Sequence, residues 1–154
     1  MEELIIVLNN VSSPQRLIDT TKVFLSVDEE WMKALVVTRA SGMAAQTGIP
    51  EASKATYKKG KPLIVLSGVK DAVGLLKPDK VLIYHPDPES KDITELLPEL
   101  RNSGRLMLVI DGSEGGPSRT DLALGEPVKI GVFKEKLPAA AALALIINEL
   151  SRKA

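Results

Sequence analysis

Short, nearly unbroken apolar runs recur along the chain at Leu4–Leu8, Ala34–Thr38, Pro62–Leu66, Lys80–Tyr84, Leu106–Ile110 and Val128–Val132. Each holds only a few residues and is rich in Val, Ile and Leu, the pattern of strands buried on both faces, as in a parallel sheet. The segments between them carry helix signals. Ser12 or Ser13 can cap a helix with Pro14 in its first turn, running on through Arg16, Leu17 and Ile18 to Phe24. Ser41 can cap a second, which Lys58-Lys59-Gly60 would close. Val69–Leu76 and Asp92–Arg101 are two more, and Leu137–Leu150 is the last. Strand and helix in alternation, with short links, predict an α/β fold: an open, mostly parallel six-stranded sheet with helices on both faces.

Composition narrows the chemistry. The 154 residues suit a single domain, 1–154, with its own core. Aromatic residues make up only 3%, so that core is built from Leu, Ile, Val and Ala. There is no cysteine and one histidine, His85, which excludes disulfides, thiolate metal sites and multi-histidine metal sites; no metal is expected. Twenty acidic and twenty basic residues balance, so bulk electrostatics give no drive toward nucleic acid, and any such contact needs a local patch. Lys54–Lys61 is the one dense basic cluster. Tyr57 within it could stack on a base, although lysines near a helix C-terminus also suit the macrodipole. The N-terminal MEELIIVLNN lacks the basic region of a signal peptide, and the run from Leu137 to Ile147 is too short to span a bilayer. The expectation is a soluble, cytoplasmic protein without membrane contact.

In open parallel sheets, ligands sit beyond the carboxyl ends of the strands. The loop after Ile110, Asp111-Gly112-Ser113-Glu114-Gly115-Gly116-Pro117-Ser118-Arg119, has three glycines for close backbone approach, with acidic and hydroxyl groups between them. It lacks the GK[ST] ending of a phosphate loop, and its carboxylates favour a neutral or cationic ligand. The terminal helix is apolar all round, which requires something to cover its outer face: a folded-over loop, or a partner subunit.

The stretch Leu108-Val109-Ile110-Asp111-Gly112-Ser113-Glu114-Gly115 resembles the LVxGxExxG motif of the SpoU-type branch of the SPOUT (α/β-knot) superfamily of RNA methyltransferases. The stretch from Lys136-Leu137-Pro138-Ala139 to Glu149 resembles that family's SLNVSxAxAIxLYE region. The likeness runs over residues 106–150 and suggests a divergent, archaeal-type member. It implies a C-terminal trefoil knot, S-adenosylmethionine as cofactor, a homodimer and structured RNA as substrate. Carried onto this chain, the cofactor would be held by Gly112, Glu114, Gly115, Ile130, Gly131, Val132, Leu137 and Ala139. Asp19 falls at the family's catalytic arginine, while Pro138 and Ala140 replace its asparagine and second serine. Arg16, Arg39 and Arg119 are therefore the candidate catalytic residues: Arg16 lies one turn before Asp19, Arg39 follows a strand, and Arg119 ends the glycine loop. The same departures support a second reading, a relative that binds cofactor or RNA without transferring a methyl group. An unknotted nucleotide binder and a nuclease using Asp111 and Glu114 rank below both.

Overall fold

A computed structural model describes residues 1–152. It contains strands β1 (Glu3–Asn9), β2 (Met32–Thr38), β3 (Leu63–Leu66), β4 (Lys80–Tyr84), β5 (Lys91–Asp92), β6 (Arg105–Asp111) and β7 (Glu126–Lys129). The helices are α1 (Pro14–Leu25), α2 (Ile49–Lys58), α3 (Val69–Leu76), α4 (Ile93–Arg101), α5 (Arg119–Leu122) and α6 (Ala139–Ser151). All strands join one parallel sheet in the order β3-β2-β1-β6-β4-β7-β5. The sheet thus has seven strands where six are expected, because two residues before α4 pair with β7 as β5. The last predicted strand is also displaced. Its ladder runs over Glu126–Lys129 and stops before Gly131, which adopts φ 43°. The apolar stretch Ile130–Val132 signalled burial at its first residue only, since Ile130 is buried and Val132 exposed.

Helix starts follow local chemistry. The Ser13 hydroxyl accepts from the Arg16 amide at 3.2 Å, with Pro14 at the first helical position of α1. Asp92 caps α4, accepting from the Thr94 amide at 3.0 Å. A π-helical stretch, Ala44–Gly48, leads into α2. Helix α2 ends at Lys58, and Gly60 takes φ 67° just beyond it.

Even-numbered residues of β1 (Leu4, Ile6, Leu8) pack with β6, α1, α4 and α6 in the larger core. Odd-numbered residues (Ile5, Val7) face a thinner layer with Val69 and Ala72 of α3 and Leu122 of α5. Period-two alternation in a strand covered on both sides produces this division. On α6 the residues Ala139, Ala142, Leu143, Ile146, Ile147 and Leu150 are buried as a single stripe. Ala141, Ala144 and Leu145 remain exposed, so the helix is covered along one face and not all round. Among the described residues no helix is long and apolar enough to cross a membrane.

Candidate functional site

At the carboxyl end of β6 the chain turns sharply over β1. The Gly112 amide donates to the Asn9 carbonyl at 2.6 Å, and a Cβ at Gly112 would lie 2.9 Å from Val11 Cβ, so only glycine fits. Asp111, buried at the strand end, accepts from both the amide (2.8 Å) and the hydroxyl of Ser113. Arg16 reaches across from the first turns of α1. It donates through Nη1 to the Gly112 carbonyl at 3.0 Å and through Nη2 to Glu114 Oε1 at 3.1 Å. One guanidinium therefore braces two points of the glycine loop.

The facing wall is the segment that enters α6. The Leu137 amide donates to the Tyr84 hydroxyl at 3.0 Å, tying this segment to the end of β4. Burial pushes the Tyr84 phenol above its ordinary pKa, with the Leu137 bond acting in the opposite direction. Between the two walls lies a cavity of about 450 Å³, lined by Arg16, Gly112, Ser113, Glu114 and residues 135–139. A smaller cavity of about 330 Å³ at the other end of the same segment is lined by Pro86, Pro88, Gly131 and Phe133 with Asp87, Lys129 and Lys134.

Lys136 is the unforeseen member of the site. Partial burial holds its ammonium below the usual lysine pKa, Asp111 and Glu114 oppose that shift, and Arg16 adds to it. It forms no ion pair within 4.0 Å among the described residues. The cavity thus offers a cation without a close counterion beside carboxylates and loop backbone. That combination suits a ligand carrying both an anionic and a cationic group. The one signal in the sequence was a lysine where the resembled motif has serine.

The remaining sequence candidates divide. Gly112, Glu114, Leu137 and Ala139 line the larger cavity together with Arg16, and Gly131 lines the smaller one. Ile130 is buried, Val132 is exposed, and Gly115 lines neither cavity. Arg39 and Arg119 do not line the cavity either. Arg39, held at φ 49°, donates to Asp121 Oδ2 at 2.9 Å. Asp121 also accepts from Asn9 Nδ2 at 3.1 Å, and the Thr38 hydroxyl donates to Asn9 Oδ1 at 2.7 Å. This network, buried at Asn9, Thr38 and Asp121 and half exposed at Arg39, fastens α5 to the ends of β1 and β2. Arg119 is an exposed first residue of α5. Asp19 accepts from Gln15 Nε2 at 2.8 Å on the exposed side of α1. Among the described residues no group of three or more His, Cys, Asp or Glu side chains is placed to hold a metal ion.

Comparison with known proteins gives two results. By sequence, a family model described as RecB-family nuclease (DUF2122) matches residues 42–149. A protein of Aeropyrum pernix, provisionally called type II restriction enzyme ApeKORF2002P, is 37% identical over 97% of this chain and 94% of its own length. By structure, the neighbours are SPOUT methyltransferases, so the fold is SPOUT-like. A Bordetella pertussis protein provisionally described as a methyltransferase superposes with TM-score 0.74 at 17% identity, covering 97% of this chain and 94% of that one. The SpoU methyltransferase AviRb of Streptomyces viridochromogenes, in complex with AdoMet, gives TM-score 0.72 at 14% identity over 97% of this chain. This chain spans 59% of AviRb.

Proposed function

The chain belongs to the DUF2122 family, which is described as RecB-family nuclease, and we propose, from its SPOUT-like fold and its cavity and against that description, that it is an S-adenosylmethionine-dependent RNA methyltransferase and not a metal-dependent nuclease. The observation that carries the reading is the cavity between the glycine loop and the entry to α6, where Arg16, Glu114 and Lys136 meet backbone from both walls. A metal-dependent nuclease needs a ligand set for its ion. Among the described residues no group of three or more His, Cys, Asp or Glu side chains is placed to supply one.

The donor set fits the cofactor's chemistry. S-adenosylmethionine supplies an electrophilic methyl on a sulfonium and carries an amino-acid carboxylate and amine. Lys136 can receive a carboxylate, Glu114 and Asp111 can balance positive charge, and loop backbone at Gly112 and Leu137 allows close approach. Glu135–Ala139, fixed by Tyr84, would form a wall that excludes water from one side. Arg16 is the candidate for orienting the RNA nucleophile, since it alone of the three sequence candidates reaches the cavity. Catalysis of this kind is mainly positional. The same reading includes a trefoil knot that tucks α6 behind residues 112–118. It also includes a homodimer through the exposed Ala141, Ala144 and Leu145 face, and residence in the cytoplasm as one domain.

The alternative, a relative that binds cofactor or RNA without methyl transfer, draws on Asp19, Pro138 and Ala140, none of which offers a catalytic group to the cavity. Titration calorimetry with S-adenosylmethionine and S-adenosylhomocysteine tests the main reading. Saturable binding, weakened at least tenfold by Ala139→Leu in a protein that still melts cooperatively, is the expected result. No heat of binding at millimolar ligand would overturn it. Binding without methyl transfer to any RNA fraction would favour the alternative.

A further inference from the structure

The densest basic stretch of the chain lies outside the cavity. From residue 52 to residue 70 there are five lysines and no acidic residue, in a chain whose charges balance as a whole. On α2, Lys54, Tyr57 and Lys58 fall at i, i+3 and i+4, which puts them on one face, with Lys59 directly following. All four are exposed, whereas Ala52 and Thr56 fix the opposite face to the body of the protein. Lys54, Lys58 and Lys59 form no ion pair within 4.0 Å among the described residues. Lys61 is different: its ammonium donates to the carbonyls of Glu29 and Met32, and is spent on the fold.

The macrodipole accounts for lysines at the end of a helix. It does not account for Tyr57, which is 85% exposed in a chain with two tyrosines, the other of them buried. An uncovered aromatic among unpaired lysines is the chemistry of a stacking platform beside phosphate contacts. The start of α2 also packs on α1, the helix that carries Arg16. A Cβ at Gly48 would be 3.3 Å from Pro14 Cα and 3.1 Å from a Leu17 methyl, and Arg16 lies between those two residues. At 1.5 Å per residue, the ten residues of α2 carry its far end about 15 Å from that contact.

We propose that the exposed face of α2 formed by Lys54, Tyr57, Lys58 and Lys59 is a docking surface for a single-stranded segment of the RNA whose target nucleotide enters the cavity. This rests on the RNA reading above but can fail independently of it. The lysines hold the phosphate backbone and Tyr57 stacks on one base.

Fluorescence anisotropy with a labelled single-stranded RNA dodecamer, and its DNA counterpart, tests the assignment on the full chain. S-adenosylmethionine titration and circular dichroism run in parallel. The triple charge reversal K54E/K58E/K59E is expected to weaken RNA binding at least tenfold and to lower the salt slope by about two. Tyr57→Ala should weaken it roughly fivefold or more, with Tyr57→Trp restoring affinity. Cofactor binding and the fold should be unchanged in all of them. Undiminished RNA binding by the charge-reversed protein, or no RNA binding by a parent protein that takes up cofactor, would overturn the surface and leave the cofactor site standing. Equal affinity for the DNA strand would overturn the assignment to RNA.

Discussion

Replacing Gly125 by alanine tests the C-terminal architecture with a single methyl group. Gly125 precedes β7 and lies beside Val81 of β4, where an added Cβ would be 2.6 Å from the Val81 carbonyl oxygen and 2.7 Å from a Val81 methyl. Ordinary contact begins near 3.4 Å, so the methyl is about 0.8 Å too close to an oxygen fixed in the sheet. A side chain could rotate away; a strand carbonyl cannot. The cost therefore belongs toward the upper part of the overpacking range, about 2–3 kcal/mol. For a chain of this size that lowers Tm by roughly 5–10 °C. Gly74 provides the control, because it sits inside α3 with nothing within 4 Å of its would-be Cβ. There the same substitution removes only the flexibility of glycine in a helix and should stabilise by about 0.5–1 kcal/mol. Thermal melts followed by far-ultraviolet circular dichroism, with urea midpoints as a second measure, resolve the opposite signs. A Gly125→Ala protein melting within about 2 °C of its parent would refute the packing of β7 against β4 described above.

Three other perturbations probe the site and its supports. Asp121→Ala leaves Arg39 and Asn9 without their shared acceptor; because Arg39 is half exposed, the loss should be about 2 kcal/mol, below the range for fully buried pairs, read from the urea midpoint. Tyr84→Phe strands the Leu137 amide and should cost about 1–2 kcal/mol in the same assay. Lys136→Met should raise Tm at neutral pH, since the parent holds a charged lysine against burial. A lysine whose folded pKa is lowered destabilises in full below that folded value and is relieved as pH climbs toward 10.5, so the advantage of the variant should shrink over that interval. A difference in Tm that stays constant with pH would show that packing, not charge, separates the two proteins.

The sequence made the alternation of strand and helix legible because buried parallel strands read as solid apolar runs, and Val69–Leu76 emerged with both ends correct. Elements set by tertiary pairing carried no such mark. Lys91–Asp92 is polar and two residues long, and becomes a strand only because Val128 and Lys129 lie beside it. Arg119–Leu122 is one helical turn, too short for a period to show. Ile130-Gly131-Val132 misled because hydrophobicity records burial and not ladder bonding, and a positive φ at Gly131 ends the strand. At the site, Arg16 was readable from the resemblance, which puts the catalytic arginine at Asp19, together with the helical spacing that sets Arg16 one turn before it. The distance of Arg39 from the cavity was not, since it follows from β2 lying on the far side of β1 from β6. Lys136 gains its character from Asp111, Glu114 and Arg16, which are remote in the chain.

The position of β6 also governs how the molecule can be made. It fills the slot between β1 and β4, and Arg105 meets Glu3 across a sequence separation of 102 residues. On the ribosome, β1 can pair early with β2, but its other edge stays open until residues 105–111 have emerged. Until then β4 has no strand beside it at all, because both of its neighbours, β6 and β7, come later in the chain. Synthesis therefore passes through a long interval with one edge of β1 and both edges of β4 uncovered, the state in which sheets recruit wrong partners. A nascent chain stalled before residue 105 is the form of this protein that most needs a chaperone.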